Sequence, residues 1–283
     1  MDVQELVKTI ADRLKHIDGV RALVLGGSRA RGTHHAGSDI DIGIYYDGAA
    51  GLDVDGLRQA AADLDDEGRD NLITEIGGWG PWINGGGWLR VEGMAVDFLL
   101  RDLRKVSLVM DQCLAGDITI DYQPGHPHGF VNAIYFAELA LCKVVWDPEG
   151  LIAEMKRATH PYPRAMQAAI AEKFLWEAGF SLDSAGKGVR SKDLSYIAGC
   201  CFRSVSCLNQ VLFALNGVYW MNEKGAAAIA GAFRTVPANY TRRVHEVMAL
   251  IKEDQADLAK SLDMLRQLIR ETEALMAAST DLP

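Results

Sequence analysis

Two aspartates separated by one residue, Asp39 and Asp41, are the residues of this chain best suited to chemistry. They alternate with Ile40, Ile42 and Ile44, so a strand here turns the isoleucines to one face and both carboxylates to the other. Two strand rises separate the carboxylates by about 7 Å, so they could converge on one divalent ion or hold a closely spaced pair. Because aspartate is depleted in strand interiors, the pair favours a functional interpretation.

A third aspartate lies in a similar pattern further along the chain. Between Met94 and Leu100, a strand would turn Val96 and Phe98 to one face and Asp97 to the other. An aspartate inside such an apolar strand needs a partner. If this strand lies beside the first, three carboxylates meet in one place. Three oxygen ligands around an open site suit Mg²⁺, which takes further ligands from water and substrate phosphates.

The turn Gly27-Ser28 offers what the carboxylates lack, which is affinity for an anion. Glycines let backbone N–H groups approach an anion closely, and the serine hydroxyl adds a donor. A short helix at 29–32 would direct its positive N-terminal end to the same place. Of the two nearby cations, Arg29 and Arg31, we name Arg31 as the candidate that faces the site.

These residues need a framework, and the hydrophobic pattern of the first hundred residues predicts a mixed one. The predicted elements are a helix at 3–17, a strand at 20–25, the glycine turn, a strand at 40–46, a helix at 57–64, a strand at 72–76 and a hairpin of strands 89–91 and 94–100. We therefore expect a small mixed β-sheet with flanking helices at 1–102.

From residue 103 onward the pattern is mostly helical. The predicted stretches are 105–115, 130–145, 151–156, 163–180, 194–215 and 242–278, the last being one long helix or two. The expected fold class is thus α+β, with an all-helical domain at 103–283 and the active site in the cleft between the domains.

Gly27-Ser28, Gly32, Asp39-x-Asp41 and a later Asp97 together resemble the signature of the polymerase-β-type nucleotidyltransferase superfamily. The helical second half makes the chain similar to antibiotic (aminoglycoside and lincosamide) nucleotidyltransferases and to minimal nucleotidyltransferases. The signature covers residues 20–100, and the likeness of the helical half is looser.

The resemblance implies roles for these residues. Gly27 and Ser28 would hold the β- and γ-phosphates of a nucleoside triphosphate, ATP by preference, while Asp39, Asp41 and Asp97 would bind Mg²⁺ and carry catalysis. An acceptor hydroxyl would attack the α-phosphorus in line and release pyrophosphate. Nucleotide preference is otherwise open.

A cation on the triphosphate is expected from the helical half, and Lys192, in a turn before a predicted helix, is the candidate; a solvated surface lysine is the alternative. Three residues compete as the general base for the acceptor hydroxyl: Asp97 itself, Glu138 in an otherwise apolar helix, and Glu172.

A glycine-rich segment just before the strand that carries Asp97 contains three tryptophans, Trp79, Trp82 and Trp88. They could line the base or acceptor pocket or act as a lid. Packing on the core or on another subunit is the alternative, because a tryptophan buries a large area.

The composition, 49% apolar and 24% charged, is that of a globular protein. No secretory signal is expected, no apolar run approaches the roughly 20 residues of a membrane helix, and five cysteines without a C-x-x-C pair suit a reducing compartment. We therefore expect a cytoplasmic protein without a membrane partner. Whether it forms a homodimer is open.

A net charge of −9 makes a long phosphate backbone the less natural partner, because such proteins usually carry a basic stripe. The first hypothesis is adenylylation of a small-molecule hydroxyl, with an antibiotic as the acceptor. The second is a toxin-type enzyme that acts on tRNA or protein, and the third is a non-enzymatic binding or antitoxin module. The intact serine and aspartates argue against the third.

Overall fold

The computed structural model describes residues 2–279, which form two compact units. Among these residues the first unit comprises 2–111, 121–125 and 135–161, and the second comprises 112–120, 126–134 and 162–279. The first unit therefore continues nine residues past the predicted boundary at residue 102 and contains two later segments, so the chain leaves it and returns twice before finally entering the second unit.

The helices and strands begin and end as follows. The first part of the chain forms α1 (Val3–Leu14), β1 (Val20–Leu25), α2 (Gly27–Arg31), β2 (Ile40–Tyr46), α3 (Val54–Leu64), β3 (Gly86–Val91), β4 (Met94–Asp102) and α4 (Leu103–Leu114). The middle forms β5 (Ile120–Asp121), β6 (Phe130–Val131), α5 (Ile134–Leu141), β7 (Lys143–Trp146) and α6 (Leu151–Arg157). The remainder forms α7 (Arg164–Gly188), α8 (Leu194–Leu215), α9 (Ala226–Ala230), α10 (Tyr240–Ala249) and α11 (Gln255–Ala278).

The first unit is built on a five-stranded sheet in the order β3-β4-β2-β1-β7. Strands β2 and β4 run parallel, and the other neighbouring pairs run antiparallel. Apolar residues of α1 and α3 pack with the isoleucines of β2 and with Val96, Phe98 and Leu100 of β4 in one core. This covered face leaves the alternate residues of β2 and β4, including Asp41 and Asp97, on the opposite face. The predicted α+β class, with flanking helices on a mixed sheet, is confirmed.

Two segments of the first unit differ from the prediction. Residues 143–146 form β7 instead of continuing a helix from 130, because Val144 and Trp146 pair with β1 and this tertiary pairing overrides local propensity. Residues 72–76 form no strand but a single bridge from Ile73 to Gly87. A turn closed by Gly78 N donating to Glu75 O at 2.9 Å bends the chain away after that one pair.

The second unit contains the paired long helices α7 and α8, against which α11 packs. The predicted stretch 242–278 consists of two helices, α10 and α11. Asp254 caps the second of them by accepting a hydrogen bond from Asp257 N at 2.9 Å. This cap explains why the charged segment between them interrupts the helical pattern.

Helix α8 is long and apolar enough, by length and composition alone, to cross a membrane. The sequence-based expectation that no segment approaches this size was therefore wrong. However, 72% of its most apolar window is buried inside the protein, as in the core helix of a globular unit.

Candidate active site

Asp41 and Asp97 lie directly opposite each other in the parallel pairing of β2 with β4. Neighbouring strands are about 4.8 Å apart, and residues in register point to the same face, so the two carboxylates stand side by side. Both side chains are partly buried. The sequence predicted Asp97 as the third carboxylate only if its strand lay beside β2, and the structure meets that condition.

Burial and the negative charge of neighbouring carboxylates raise the pKa values of Asp41 and Asp97. Burial, followed by the negative charges of Asp41 and Asp39, raises the pKa of Asp97 to about 6. Burial and the charge of Asp39 also raise the pKa of Asp41. Three carboxylates crowded in this way favour a divalent cation, because its charge relieves their repulsion and oxygen ligands suit Mg²⁺. The donor set therefore fits the metal that the resemblance implies.

Asp39 lies one residue before β2 and is exposed, so it is placed by a loop and not by the strand as expected. The guanidinium of Arg29 holds this loop. Its Nε donates to the carbonyl oxygens of Ser38 at 3.1 Å and Asp39 at 3.0 Å, and its Nη2 donates to Ser38 O at 2.6 Å. Arg29 is buried and thus fixes the chain that leads into the aspartate pair.

The turn after β1 lies against Asp41. Gly26 N donates to Asp41 O at 2.8 Å, and Gly27 adopts the left-handed conformation at φ 59°. A Cβ on Gly27 would fall 1.8 Å from Oδ2 of Asp41, so only glycine leaves room for this carboxylate. Ser28 follows as the second residue of α2, partly buried, which places its hydroxyl next to the same turn.

The two arginines of α2 differ in what they contact. Whereas Arg29 is engaged by backbone carbonyls, the positive charge of Arg31 acts on Asp41 and opposes the rise in the pKa of that carboxyl caused by burial and by Asp39. Within residues 2–279, the buried Nε of Arg31 has no hydrogen-bond partner. Arg31 is therefore the cation of the pair that remains available to an anionic ligand.

Trp88 extends the row of side chains across the sheet. In the β3–β4 hairpin it lies directly opposite Asp97, so Trp88, Asp97 and Asp41 point to one face from three adjacent strands. Its indole stacks on that of Trp79, with ring centroids 4.5 Å apart. The sequence carried a signal for this arrangement, since the turn at Glu92-Gly93 fixes the register of the hairpin.

Glu138, one of the predicted general bases, is paired with Arg101. The Nε and Nη2 atoms of Arg101 donate to the two carboxylate oxygens of Glu138 at 2.7 and 2.6 Å. The arginine side chain is 4% exposed, so this partner offsets the free-energy cost of burying its positive charge. The charge of Glu138 also contributes, after burial and Asp39, to the raised pKa of Asp41, so it stands near the aspartates.

Lys192 and Glu172 belong to the second unit. Lys192 is exposed in the turn before α8 and has a left-handed backbone at φ 54°. Glu172 is exposed on α7 and lines a groove of that unit together with Lys173 and Trp176. Their proposed roles at the triphosphate and at the acceptor remain predictions.

The second unit also holds a buried group with metal-ligating atoms, formed by His128, Glu177 and Cys207. His128 Nε2 lies 3.5 Å from Cys207 Sγ and 3.6 Å from Glu177 Oε1. Arg203 Nε donates to the same carboxylate oxygen at 2.5 Å. The buried carboxylate thus already has a cationic partner within a polar network of the helical core, while the buried Nδ1 of His128 has no hydrogen-bond partner among the described residues.

Comparison with known proteins finds a family model that matches part of the chain and a solved structure that is similar to it. Residues 7–77 match the model of the nucleotidyltransferase domain family. A nucleotidyltransferase-like protein from Exiguobacterium sibiricum superposes with a TM-score of 0.46 at 8% sequence identity, over 97% of this chain and 78% of that chain. No curated protein sequence matches. The family match includes the glycine turn and the first two aspartates, while Asp97 lies beyond it.

Proposed function

We propose that this chain moves AMP from ATP to a hydroxyl group of a small molecule, a proposal supported by the match of residues 7–77 to the model of the nucleotidyltransferase domain family. The reaction joins the acceptor oxygen to the α-phosphorus and breaks the bond from that phosphorus to the bridging oxygen, so that pyrophosphate leaves. An antibiotic of the aminoglycoside or lincosamide type is the acceptor that the resemblance favours.

The observation that carries the proposal is the register of Asp41 with Asp97, next to a glycine turn that abuts Asp41. A row of carboxylates alone would be a costly feature of a sheet, because the charges repel one another. Next to a turn suited to phosphate, the same carboxylates can bind a divalent cation while the turn binds the phosphates of a nucleotide.

Each residue has a part in this proposal. Gly27 and Ser28 bind the β- and γ-phosphates, and Arg31 adds positive charge on the same side. Asp39, Asp41 and Asp97 would hold Mg²⁺, which when bound favours deprotonation of the attacking hydroxyl and offsets the charge that develops on the phosphate. Asp97 is the favoured acceptor of the hydroxyl proton, because Glu138 is already occupied by Arg101.

Two features favour a small acceptor over a nucleic acid. The net charge of −9 opposes attraction of a phosphate backbone, and the exposed carboxylate Asp39 adds negative charge at the site itself. A toxin-type reaction on tRNA or protein is the second candidate, and it shares the same chemistry at the α-phosphorus.

The test is a transfer assay with the full chain, Mg²⁺, ATP labelled at the α-phosphate, a panel of aminoglycosides and lincosamides, and tRNA. We expect label on a small acceptor, loss of label with a chelator, and loss in Asp41→Asn. Asp70→Asn, which changes an exposed aspartate of the same unit, is the matched control and should behave as wild type. Label on tRNA alone would overturn the choice of acceptor, and undiminished transfer by Asp41→Asn would overturn the assignment of the site.

A further inference from the structure

The buried group of His128, Glu177 and Cys207 in the second unit has no part in the proposed nucleotide transfer. The imidazole of His128 is 0% exposed, and its Nδ1 has no hydrogen-bond partner among residues 2–279. Its Nε2 lies 3.6 Å from Glu177 Oε1, too far for an ordinary hydrogen bond, and 3.5 Å from Cys207 Sγ, which is a weak partner. A buried imidazole held so weakly needs a further explanation, and a bound ion supplies one.

The distances among the three side chains fit a tetrahedral metal site. Zinc forms bonds of about 2.0–2.1 Å to histidine nitrogen, about 2.0–2.2 Å to carboxylate oxygen and about 2.3 Å to cysteine sulfur, so the ligand atoms of a tetrahedral site lie about 3.3–3.6 Å apart. The separations of His128 Nε2 from the sulfur and from the carboxylate oxygen, 3.5 and 3.6 Å, match this spacing. All three ligand atoms lie within 4.8 Å of one another, so small side-chain rotations bring them around a common centre.

Three separate elements present these ligands, and contacts beside the ligands hold the elements in place. His128 lies in the segment before β6, and its backbone N donates to Glu223 Oε1 at 2.7 Å. Glu177 is on α7 and the cysteine is on α8, and Ser204 Oγ of α8 donates to Ala178 O, next to the glutamate, at 2.9 Å. The ligands are therefore positioned before an ion arrives.

We propose that His128, Glu177 and Cys207 bind one Zn²⁺ ion, with water as the fourth ligand. The ion displaces the proton of the Cys207 thiol, which leaves to solvent, and forms bonds to the sulfur, to His128 Nε2 and to the carboxylate. It joins the segment before β6 to both long helices. The site shares no residue with the candidate active site and does not depend on the proposed function.

The ligand types determine which metal fits this group. Sulfur and imidazole suit Zn²⁺, whereas Mg²⁺ takes oxygen ligands and keeps several waters. Burial raises the pKa of the Cys207 thiol, so without an ion the sulfur keeps its proton and carries no charge. A divalent ion compensates the negative charges of the thiolate and of Glu177 together.

Arg203 is compatible with an ion at this place. Its Nε donates to Glu177 Oε1 at 2.5 Å, and its side chain is 49% exposed, so solvent weakens the repulsion between the guanidinium and the ion. The two oxygens of a carboxylate have about four lone-pair positions, so Glu177 can accept this hydrogen bond and bind a metal as well. Hydrogen-bond partners of this kind orient metal-binding side chains.

A groove of the second unit gives an ion a path to the site. The groove has a volume of about 670 Å³, and its lining includes Lys173, Trp176 and Glu177 of α7 and the segment 116–118. Because Glu177 forms part of the wall of this groove, solvent reaches its carboxylate from that side. Water can therefore complete the coordination of the ion.

The experiment titrates the metal-stripped full chain with Co²⁺ and then with Zn²⁺, in an excess of Mg²⁺ that favours the oxygen ligands of the aspartates. Charge-transfer absorption between sulfur and Co²⁺ reports a bond to a cysteine. The variants are Cys207→Ser and His128→Asn, and Cys201→Ser is the matched control, because it removes another buried thiol of α8. Asp41→Asn is the control for the candidate active site. Circular dichroism verifies folding, and thermal unfolding measures the effect of Zn²⁺ on stability.

We expect wild type, Cys201→Ser and Asp41→Asn each to bind one equivalent of Co²⁺ with sulfur-to-cobalt absorption, and Zn²⁺ to displace it. Cys207→Ser should lose the absorption, and His128→Asn should weaken binding by about a hundredfold or more, since even partners outside the ligand shell affect metal affinity by about 10–100-fold. At roughly 100 times its Kd, Zn²⁺ should raise the melting temperature of wild type by about 5 °C, and that of Cys207→Ser far less.

The absence of sulfur-to-cobalt absorption in folded wild type would overturn the inference, and this result depends on no variant. So would an absorption that persists in Cys207→Ser or disappears in Cys201→Ser, because another thiol would then be the ligand. Asp41→Asn separates the inference from the proposed function. Retained absorption in this variant would support the zinc site whether or not nucleotide transfer is observed, whereas lost absorption would show that the ion depends on the aspartates and would refute a separate site.

Discussion

The backbone of Gly27 lies against the carboxylate of Asp41, so that a Cβ on the glycine would fall 1.8 Å from Oδ2 and 2.6 Å from Cγ. Gly27→Ala should therefore displace this carboxylate, and we expect transfer activity to fall by roughly 10²-fold or more, the scale on which misplaced catalytic groups act. The substitution also introduces strain of about 1 kcal/mol, because φ is 59°.

Gly32→Ala is the control for this prediction. Gly32 has a similar left-handed backbone, at φ 72°, but a Cβ there meets nothing within 4 Å. Both variants should lose stability from the left-handed backbone, Gly27→Ala the more because of its steric clash, and only Gly27→Ala should lose activity. Equal activities would show that the space beside Asp41 is unimportant.

Asp97→Asn should inactivate the enzyme and stabilise the metal-free protein. Burial, and then the charges of Asp41 and Asp39, raise the pKa of Asp97 to about 6. At any pH above the pKa that this carboxyl has in the unfolded chain, ionising it therefore destabilises the folded state relative to the unfolded state. Asparagine removes that cost, on the order of 1–3 kcal/mol at neutral pH. Thermal unfolding in a chelator measures it, and a lower melting temperature than wild type would contradict the prediction.

Metal affinity should weaken as the pH falls through about 6. In the metal-free protein Asp97 takes up a proton near this pH, at which ordinary aspartates are ionised, and the proton competes with Mg²⁺. We expect up to a tenfold loss of affinity per pH unit below about 6, measured by calorimetric titration with Mg²⁺. Asp97→Asn should bind Mg²⁺ more weakly at every pH, and its affinity should change less with pH around 6. If the affinity of this variant fell with pH as steeply as that of wild type, another group would be responsible for the titration.

Glu138→Gln should lower stability more than catalysis. It leaves the buried guanidinium of Arg101 without its charged partner, a change that costs about 3–5 kcal/mol. Thermal unfolding should show this loss, and turnover per folded molecule should largely persist. Glu172→Gln, at an exposed position of the second unit, should unfold as wild type does. Lost turnover with an unchanged melting temperature would instead make Glu138 the general base.

The sequence predicts those helices and strands whose ends are determined by nearby residues, and it fails where an element depends on pairing with a distant part of the chain. The strands at 20–25 and 40–46 and the helix at 194–215 have the predicted bounds. Gly19 and Gly26 flank the first strand, alternating isoleucines define the second, and Asp193 caps the helix. Strand β7 was assigned to a helix, since only its pairing with β1, distant in the chain, makes it a strand. Local patterns do not contain such pairings.

In the candidate site, too, local sequence patterns predict some features, while others depend on contacts between distant residues. Alternation predicted the faces of Asp41 and Asp97, but their side-by-side register depends on a parallel pairing that no turn fixes. Asp39 was expected inside the strand, and the hold of Arg29 on the preceding loop could not be inferred from residue types. The position of Trp88 could have been predicted, because the hairpin turn at 92–93 fixes the pairing of Trp88 with Asp97. The sequence-based interpretation treated the three tryptophans together and did not use this pairing.

Strand β7 also bears on how the protein is made. Its partner β1 lies more than a hundred residues earlier, so the ribosome must release the chain through Trp146 before that edge of the sheet can close. Until then the nascent chain carries the aspartates on an open sheet whose β1 edge can pair with other strands. Completion of this sheet is therefore expected to be delayed until residue 146 has been synthesised and to benefit from chaperones that shield strand edges.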